Sequence, residues 1–319
     1  METKEKNLEQ DIESYLLNEG GYVKGTMATY DKKRAIDMPV LIKFIEATQP
    51  KQWERYKNLY GDQAEHQLYK MFQAGVAQSG LIYVLRNGIK DRGVGLKFVY
   101  FEPASGLNED LVEKYRANIL TETRQFFYST ENKNSVDMVL SVNGIPVVAL
   151  ELKNQFTGQS VENSKHQFMY DRDPKEPLFQ FNNRILAYFG VDLNEVVMTT
   201  QLNGEYTRFL PFNQGSNGAG NIGDGGNPEN PDGYPTSYLW ERVLRRDMLL
   251  SLLQRYISLQ IETKVKLEKG KKMTFKSPKI IFPRYHQLDV VEKLIADTQA
   301  SKEGKSYLLQ HSAGSGKSL

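Results

Sequence analysis

The sequence predicts an α/β protein in which a mixed β-sheet is flanked by helices. Near the N-terminus, apolar residues recur at helical spacing, at Leu8, Ile12, Tyr15 and Leu16. In the middle of the chain, residues 134–153 form two short apolar runs that are joined by a turn, as in a β-hairpin. A chain that contains both helical and strand periodicity favours an α/β fold.

The composition is that of an ordinary globular protein. With 319 residues, the chain is long enough for two domains, or for one large domain and part of a second. Its net charge of +2 predicts that any nucleic-acid site is a local patch. The absence of cysteine excludes disulfides, zinc-thiolate sites and thiol nucleophiles. A charged N-terminus and the lack of a run of about 20 apolar residues predict a cytoplasmic protein without a signal peptide or membrane span.

The remaining elements follow from periodicity and turn residues. Helices are predicted at residues 8–18, 41–47, 64–72 and 237–260. Strands are predicted at residues 96–101 and 118–128, before the central hairpin. Residues 213–233, rich in glycine and asparagine, predict a mobile surface loop. The lysine-rich residues 264–272 predict a solvated linker.

The central hairpin carries an acid and then an acid-x-lysine triplet. Because side chains alternate along a strand, Glu151 and Lys153 share one face and Leu150 lies on the other. A regular two-residue turn would place Asp137 opposite Leu150. A three-residue loop at residues 143–145, or a single bulge, would place Asp137 opposite Glu151. Joint action of the three polar groups requires the second arrangement.

Two carboxylates and an ammonium are the groups that a metal-dependent phosphodiesterase needs. Asp137, Glu151 and the carbonyl oxygen of Leu152 could bind Mg²⁺, which would polarise a water and neutralise charge on the phosphate. Lys153 would stabilise the transition state or position the water. The same three residues also fit an edge hairpin with solvent-facing side chains, so the neighbouring sequence has to decide.

The neighbouring sequence extends the pattern on both sides of the hairpin. Arg124-Gln125-Phe126 precedes Asp137, and Gln167 with residues 170–179 follows Lys153. The whole pattern resembles the PD-(D/E)xK nuclease motif of the restriction (R) subunit of type I restriction-modification enzymes. The resemblance implies a restriction-endonuclease-like fold and a Mg²⁺-dependent DNA endonuclease that cleaves after ATP-driven translocation. It also implies double-stranded DNA as substrate, and methyltransferase and specificity subunits as partners.

Three further residues acquire roles from this resemblance alone. Gln167 corresponds to the family's glutamine-tyrosine element, which orders the site or the DNA. The family pattern places the tyrosine four positions after the glutamine, whereas Tyr170 lies three positions after Gln167. Residues 8–22 resemble the family's opening helix, in which Glu9 would be an additional acid near the metal. An ordinary exposed helix glutamate fits Glu9 equally well.

The end of the chain is an apolar strand followed by Gly-Ser-Gly-Lys-Ser at residues 314–318. In a phosphate-binding loop of this kind, backbone N–H groups surround the phosphates, the lysine reaches the β and γ oxygens, and the serine ligates Mg²⁺. Residues 283–287 resemble the Q motif of superfamily 2 helicases, in which the glutamine reads the adenine. The resemblance implies ATP binding in a longer parent protein, at Gln287, Gly314, Gly316, Lys317 and Ser318.

These motifs predict three segments: a nuclease domain at residues 1–262, a linker at 263–277 and the start of a RecA-like ATPase domain at 278–319. Since no Asp-Glu box follows the loop, the chain itself is not expected to bind ATP at micromolar concentration. Two alternatives to the nuclease remain open. One is a non-catalytic DNA-binding or assembly module, and the other is a nuclease-helicase of DNA repair.

Overall fold

The computed structural model describes residues 2–154, 158–268, 271–301 and 304–310, with the backbone alone at residues 2–7, 264, 266–268 and 271. Thirteen strands lie in this part of the chain: β1 (Val23–Lys24), β2 (Tyr30–Asp31), β3 (Ile36–Asp37), β4 (Ile89–Asp91), β5 (Val94–Leu96), β6 (Leu120–Phe127), β7 (Ser135–Val142), β8 (Ile145–Leu152), β9 (Ala187–Val191), β10 (Val196–Thr199), β11 (Leu210–Pro211), β12 (Ser258–Glu268) and β13 (Lys271–Ile281).

Seven strands form one mixed sheet, in the order β1-β6-β7-β8-β9-β10-β11. The pairs β1–β6 and β8–β9 are parallel, and the other neighbouring pairs are antiparallel. The hairpin β7–β8 therefore lies near the middle of the sheet, with β9 running parallel beside β8. The remaining strands pair as β2–β3, β4–β5 and β12–β13.

Helices cover the sheet. The described α-helices are α1 (Glu2–Asn18), α2 (Met38–Thr48), α3 (Pro50–Tyr60), α4 (Ala64–Ser79), α5 (Leu81–Asn87), α6 (Glu109–Arg116), α7 (Val161–His166), α8 (Arg246–Ser251) and α9 (Tyr285–Ser301). Shorter helical turns lie at Gly61–Gln63, Gln167–Asp171, Leu239–Val243 and Leu252–Tyr256. Side-chain oxygens of Asp37, Asn108 and Ser160 accept backbone N–H groups at the starts of α2, α6 and α7, as helix caps do.

The sheet separates two apolar cores. Met138 and Leu150 point into the larger core, which contains the buried residues of α1 to α5. Their neighbours Val139 and Ala149 point into the smaller core, where Phe168 of the turn after α7 also packs. The alternation along β7 and β8 thus buries both faces of the central hairpin. No helix in the described ranges is long and apolar enough to cross a bilayer.

Several elements form as the sequence predicts. The helices expected at residues 8–18, 41–47 and 64–72 correspond to α1, α2 and α4, and the strand expected at 118–128 is β6. The architecture is a large mixed sheet flanked by helices, which is compatible with a restriction-endonuclease-like fold.

Two predicted elements are wrong. The strand expected at residues 96–101 ends at Leu96, because beyond it the backbone bonds to side chains and not to a neighbouring strand. The carbonyl oxygen of Phe98 accepts a hydrogen bond from Nδ2 of Asn143. The N–H and the carbonyl oxygen of Tyr100 both bond to the side chain of Asn118. The long helix expected at 237–260 is broken before α8 by Arg245, whose backbone is extended with ψ of 149°. The chain enters β12 at Ser258.

Two further predicted segments are the lysine-rich linker and the glycine-rich loop. The described residues of the predicted linker, 263–268 and 271–277, belong to the paired strands β12 and β13. Their role as a boundary between two domains stays a prediction. Residues 213–233 contain neither helix nor strand, as predicted. Backbone hydrogen bonds from Gly215 to Gly226 and from Ser216 to Asp224 nevertheless close this loop on itself.

Candidate active site

The hairpin β7–β8 contains a tight turn and one bulge. Its two-residue turn is Asn143-Gly144, with positive φ angles of 51° and 79° as in a type I′ turn. Ser141 pairs with Pro146 and Leu140 pairs with Val148, so Val147 has no partner on β7. One extra residue on one strand shifts all later pairs by one position.

This shift brings the two acids to the same level of the sheet. Beyond the bulge, Met138 pairs with Leu150, so the next pair along the two strands is Asp137 with Glu151. Without the bulge, Asp137 would lie opposite Leu150 and the two carboxylates would point to opposite faces. The bulge that the site chemistry required is therefore present.

Asp137, Glu151 and Lys153 lie together at the end of β8. The Nζ of Lys153 is 3.5 Å from Oδ2 of Asp137 and 3.9 Å from Oε2 of Glu151. These distances limit the separation of the two carboxylate oxygens to about 7.4 Å. Oδ2 of Asp137 also accepts the backbone N–H of Leu152 at 2.8 Å, which fixes the aspartate against β8. Glu151 is fully buried, Lys153 is nearly so, and Asp137 is partly exposed.

Arg172 is a fourth member of this group that the sequence analysis did not single out. Its Nη2 lies 2.7 Å and its Nε 2.8 Å from Oε1 of Glu151. The guanidinium is buried and lies 5.9 Å from the ring of Tyr128. Both contacts use one carboxylate oxygen, which leaves Oε2 of Glu151 on the side of Lys153. Arg172 lies within residues 170–179, which the resemblance includes, but only the fold shows that it reaches Glu151.

The helical segment that carries Arg172 is attached to the sheet beside the site. Asp192, which follows β9, accepts the N–H of Val161 at the start of α7 through Oδ2. Three residues further along α7, Ser164 packs on Gly190, where an added Cβ would lie 2.1 Å from the Oγ of Ser164. Gly190 is the partner of Glu151 on the neighbouring strand. The missing side chain therefore lets α7 approach the sheet closely enough for Arg172 to reach Glu151.

Burial controls the protonation of Glu151. Burial, with the carboxylate of Asp137 nearby, raises the pKa of Glu151 to about 8, against the opposing effect of Arg172 and Lys153. A proton on Glu151 at neutral pH therefore has to leave before the carboxylate can bind a cation.

The donor set fits a hard divalent cation. Oε2 of Glu151 is buried and accepts no hydrogen bond from any described residue. It lies on the same side as the Asp137 carboxylate, and both are oxygen ligands of the type that Mg²⁺ prefers. The described ranges contain no cluster of three or more His, Cys, Asp or Glu side chains able to hold a metal. Two carboxylates are sufficient for Mg²⁺, because this ion keeps several of its waters.

The structure does not bring Gln167, Tyr170 and Glu9 into contact with these acids. Gln167 lies in the turn after α7, and within the described part of the chain it forms no hydrogen bond with Asp137, Glu151 or Lys153; its Oε1 is buried without a partner. Tyr170 is exposed, with its ring 4.6 Å from that of His166. Oε1 of Glu9 pairs with Nε of Arg124 at 2.8 Å, so Glu9 is not an exposed helix glutamate, and among the described residues no ion pair joins it to Lys153.

The predicted nucleotide-binding residues are described only in part. Gln287 lies in the first turn of α9, and its Oε1 accepts the backbone N–H of Arg284 at 3.0 Å. This contact closes the start of the helix. Gly314, Gly316, Lys317 and Ser318 lie outside the described residues, and their roles stay predictions.

The comparisons with known proteins agree with the geometry. Residues 107–214, about a third of the chain, match the family model for the N terminus of the type I restriction enzyme R protein. The matched segment carries Asp137, Glu151, Lys153 and Arg172, and the match supports a role as a restriction nuclease. It supports the N-terminal region of an R subunit, and does not extend to the predicted helicase part. No curated protein matches the chain.

Proposed function

We propose that this chain contains the Mg²⁺-dependent DNA endonuclease domain of a type I restriction enzyme R subunit. The observation that carries the proposal is the convergence of Asp137, Glu151 and Lys153, which depends on one bulge between two strands. The family match over the same residues supports it. In the parent enzyme, ATP-driven translocation would precede cleavage, and methyltransferase and specificity subunits would be the partners.

Each residue of the candidate site has its own proposed role. Asp137 and Oε2 of Glu151 would hold the cation, which when bound would supply a Lewis acid and an activated water. The ammonium of Lys153 faces both carboxylates and would face the scissile phosphate, where it can stabilise the charge of the transition state. Arg172 holds Glu151 in one orientation through Oε1 and keeps the other oxygen free for the cation.

The proposal is tested by substituting Lys153. In the assembled enzyme, Lys153→Ala is expected to abolish Mg²⁺-dependent cleavage of supercoiled plasmid, because one ammonium at the reacting phosphate is lost. ATP hydrolysis is expected to persist, since the predicted motor motifs lie in a separate part of the sequence. Lys165→Ala is the matched control, because within the described part of the chain this lysine of α7 pairs with Glu162 alone. Cleavage that survives Lys153→Ala, or loss of both activities together, would contradict the proposal.

A further inference from the structure

The two-stranded hairpin β12–β13 extends from the rest of the fold as a ribbon. Its strands pair without interruption, from Ser258 with Ile281 to Glu268 with Lys271. At about 3.4 Å per residue, eleven residues per strand give the ribbon a length of about 35 Å. It pairs with no strand of the seven-stranded sheet among the described residues. A two-stranded hairpin of this length gains stability when another surface covers it.

The ribbon concentrates the positive charge of the protein. Residues 258–281 contain seven lysines, no arginine and two glutamates, which gives them a charge of +5. Since the whole chain carries +2, the other residues together carry −3. A basic segment on an otherwise acidic protein is the electrostatic footprint of a polyanion partner.

The lysines are available for an outside partner. Lys272 and Lys276 are exposed, and neither forms an ion pair with any residue that the structure describes. Lys279 is also exposed and bonds to Glu262 across the ribbon at 2.8 Å. Of the three ribbon lysines whose side chains the structure describes, Lys272 and Lys276 are thus uncompensated.

The exposed apolar side chains of the ribbon do not form one continuous patch. The pairing places Ile261 and Val265 on one face, and Met273 and Phe275 on the other. Each face therefore mixes apolar and lysine positions, which suits a nucleic-acid groove with its charged edges better than a dry protein interface. A two-stranded ribbon is also narrow enough to enter the major groove of B-DNA.

The base of the ribbon lies on a polar groove beside the end of β10. Oγ1 of Thr200 donates to the carbonyl oxygen of Ile280, which ties the ribbon to the end of β10. The groove there, of about 340 Å³, is lined by Tyr206, Arg208 and Lys279 among others. Arg208 is exposed and forms no ion pair in the described ranges.

The groove and the active site share one supporting element. Next to Arg208, the ring of Phe209 lies 6.2 Å from that of Phe168. Phe168 belongs to the helical turn that ends immediately before Arg172, the residue that holds Glu151. The turn that carries Phe168 thus connects the side of the groove with the residue that holds Glu151.

We propose that the ribbon, together with the groove at its base, binds the phosphate backbone of duplex DNA outside the cleavage site. This inference rests on the proposed nuclease function and adds a second DNA contact to it. The contact is electrostatic, through Lys272, Lys276 and Arg208, and reads no base sequence.

The test measures the salt dependence of DNA binding. The protein, without divalent cations, is titrated into a fluorescein-labelled 30-base-pair duplex between 50 and 200 mM salt, and binding is followed by anisotropy. In the triple variant Lys272→Gln, Lys276→Gln and Arg208→Gln, the slope of log K against log salt is expected to become shallower by about 2.7, because each phosphate contact contributes about 0.9. The affinity at 50 mM salt is expected to fall on the order of tenfold or more.

The matched control neutralises three exposed lysines on elements away from the ribbon: Lys57, Lys70 and Lys90. Its net charge equals that of the test variant, and its slope of log K against log salt is expected to stay at the wild-type value.

A second measurement avoids substitution altogether. Duplex DNA is expected to slow the acetylation of Lys272 and Lys276 in the wild-type protein, measured by mass spectrometry, and to leave Lys57 and Lys70 unaffected.

Each outcome decides the question. An unchanged slope in the ribbon variant, or a wild-type protein that does not bind duplex DNA, overturns the proposal. The proposal is also overturned if the ribbon variant binds DNA like the wild type, while the wild type self-associates and Phe275→Ser abolishes that self-association. Such a result indicates a protein partner. The nuclease function fails separately, through plasmid cleavage that survives Lys153→Ala, and that result leaves the salt slopes unaltered.

Discussion

Replacing Arg172 by alanine is expected to weaken divalent-cation binding at Asp137 and Glu151, and to do so more at neutral than at alkaline pH. Arg172 makes contacts of 2.7 and 2.8 Å to Oε1 of Glu151, in a buried environment. Hydrogen bonds to charged groups contribute about 1.5–3 kcal/mol. One pKa unit corresponds to about 1.4 kcal/mol, so losing the guanidinium raises the pKa of Glu151 by about 1 to 2 units.

The size of the effect follows from the protonation of Glu151. Its pKa is already raised to about 8 by burial, and cation binding requires the ionised carboxylate. For a further rise of about 1.5 units, the ionised fraction falls roughly 30-fold at pH 7 and roughly 4-fold at pH 9. The apparent affinity for Mg²⁺ is expected to fall by the same factors.

The assay is isothermal titration calorimetry with Mg²⁺ at both pH values. Arg255→Ala, which removes an exposed arginine bonded to Gln254, is the matched control and is expected to bind Mg²⁺ like the wild type. Arg172→Lys keeps the positive charge but cannot make both contacts to Oε1 of Glu151. Its affinity for Mg²⁺ is expected to lie between those of the wild type and Arg172→Ala. An equal loss of affinity at pH 7 and pH 9 would refute the reasoning, since a protonation effect must fade as the pH rises.

Two further predictions concern stability. Burial, with the Glu13 carboxylate nearby, raises the pKa of Glu122 to about 7, so its contribution to stability is present below about pH 4.5 and is lost as the pH rises toward 7. Between pH 5 and pH 8, the free energy of unfolding of the wild type in urea is expected to fall by about 2 to 3 kcal/mol more than that of Glu122→Gln, and parallel pH profiles would contradict this. At Gly144, an added Cβ would lie 2.2 Å from the carbonyl oxygen of Asp37, whereas Gly158 has a similar φ and open space. Gly144→Ala is therefore expected to cost at least about 1 kcal/mol more than Gly158→Ala, and equal costs would show that backbone strain alone matters.

Much of the candidate site was predictable because it depends on two short strands. Strand alternation places Glu151 and Lys153 on one face, and the required position of Asp137 predicts a bulge or a longer turn. The sequence left that choice open, because a bulge at Val147 depends on how β7 and β8 pack into the two cores. The register of a single hairpin is local information, so the sequence can limit it to these two arrangements.

Other features depend on contacts between distant parts of the chain. Arg172 lies 21 residues after Glu151 and reaches it only because α7 packs closely on Gly190. The residue pattern does not indicate this close packing of α7 on Gly190.

The linker prediction for the lysine-rich segment rests on its charges, because charge runs are usually solvated. Ile261, Val265 and Leu267 nevertheless alternate with polar residues, which is a strand signal. The helix expected at 237–260 is interrupted, because tertiary packing overrides the helical preference that the spacing of the apolar residues indicates.

The central claim is that Asp137 and Glu151 form one site for a hard divalent cation. Its most direct test is the titration of Mn²⁺, a spectroscopic substitute for Mg²⁺, followed by electron paramagnetic resonance at pH 8. The wild-type chain is expected to bind one ion at this site, and Asp137→Asn and Glu151→Gln are each expected to lose it. Asp232→Asn, on an exposed loop, is expected to bind Mn²⁺ like the wild type. Mn²⁺ binding that persists in both Asp137→Asn and Glu151→Gln would contradict the account.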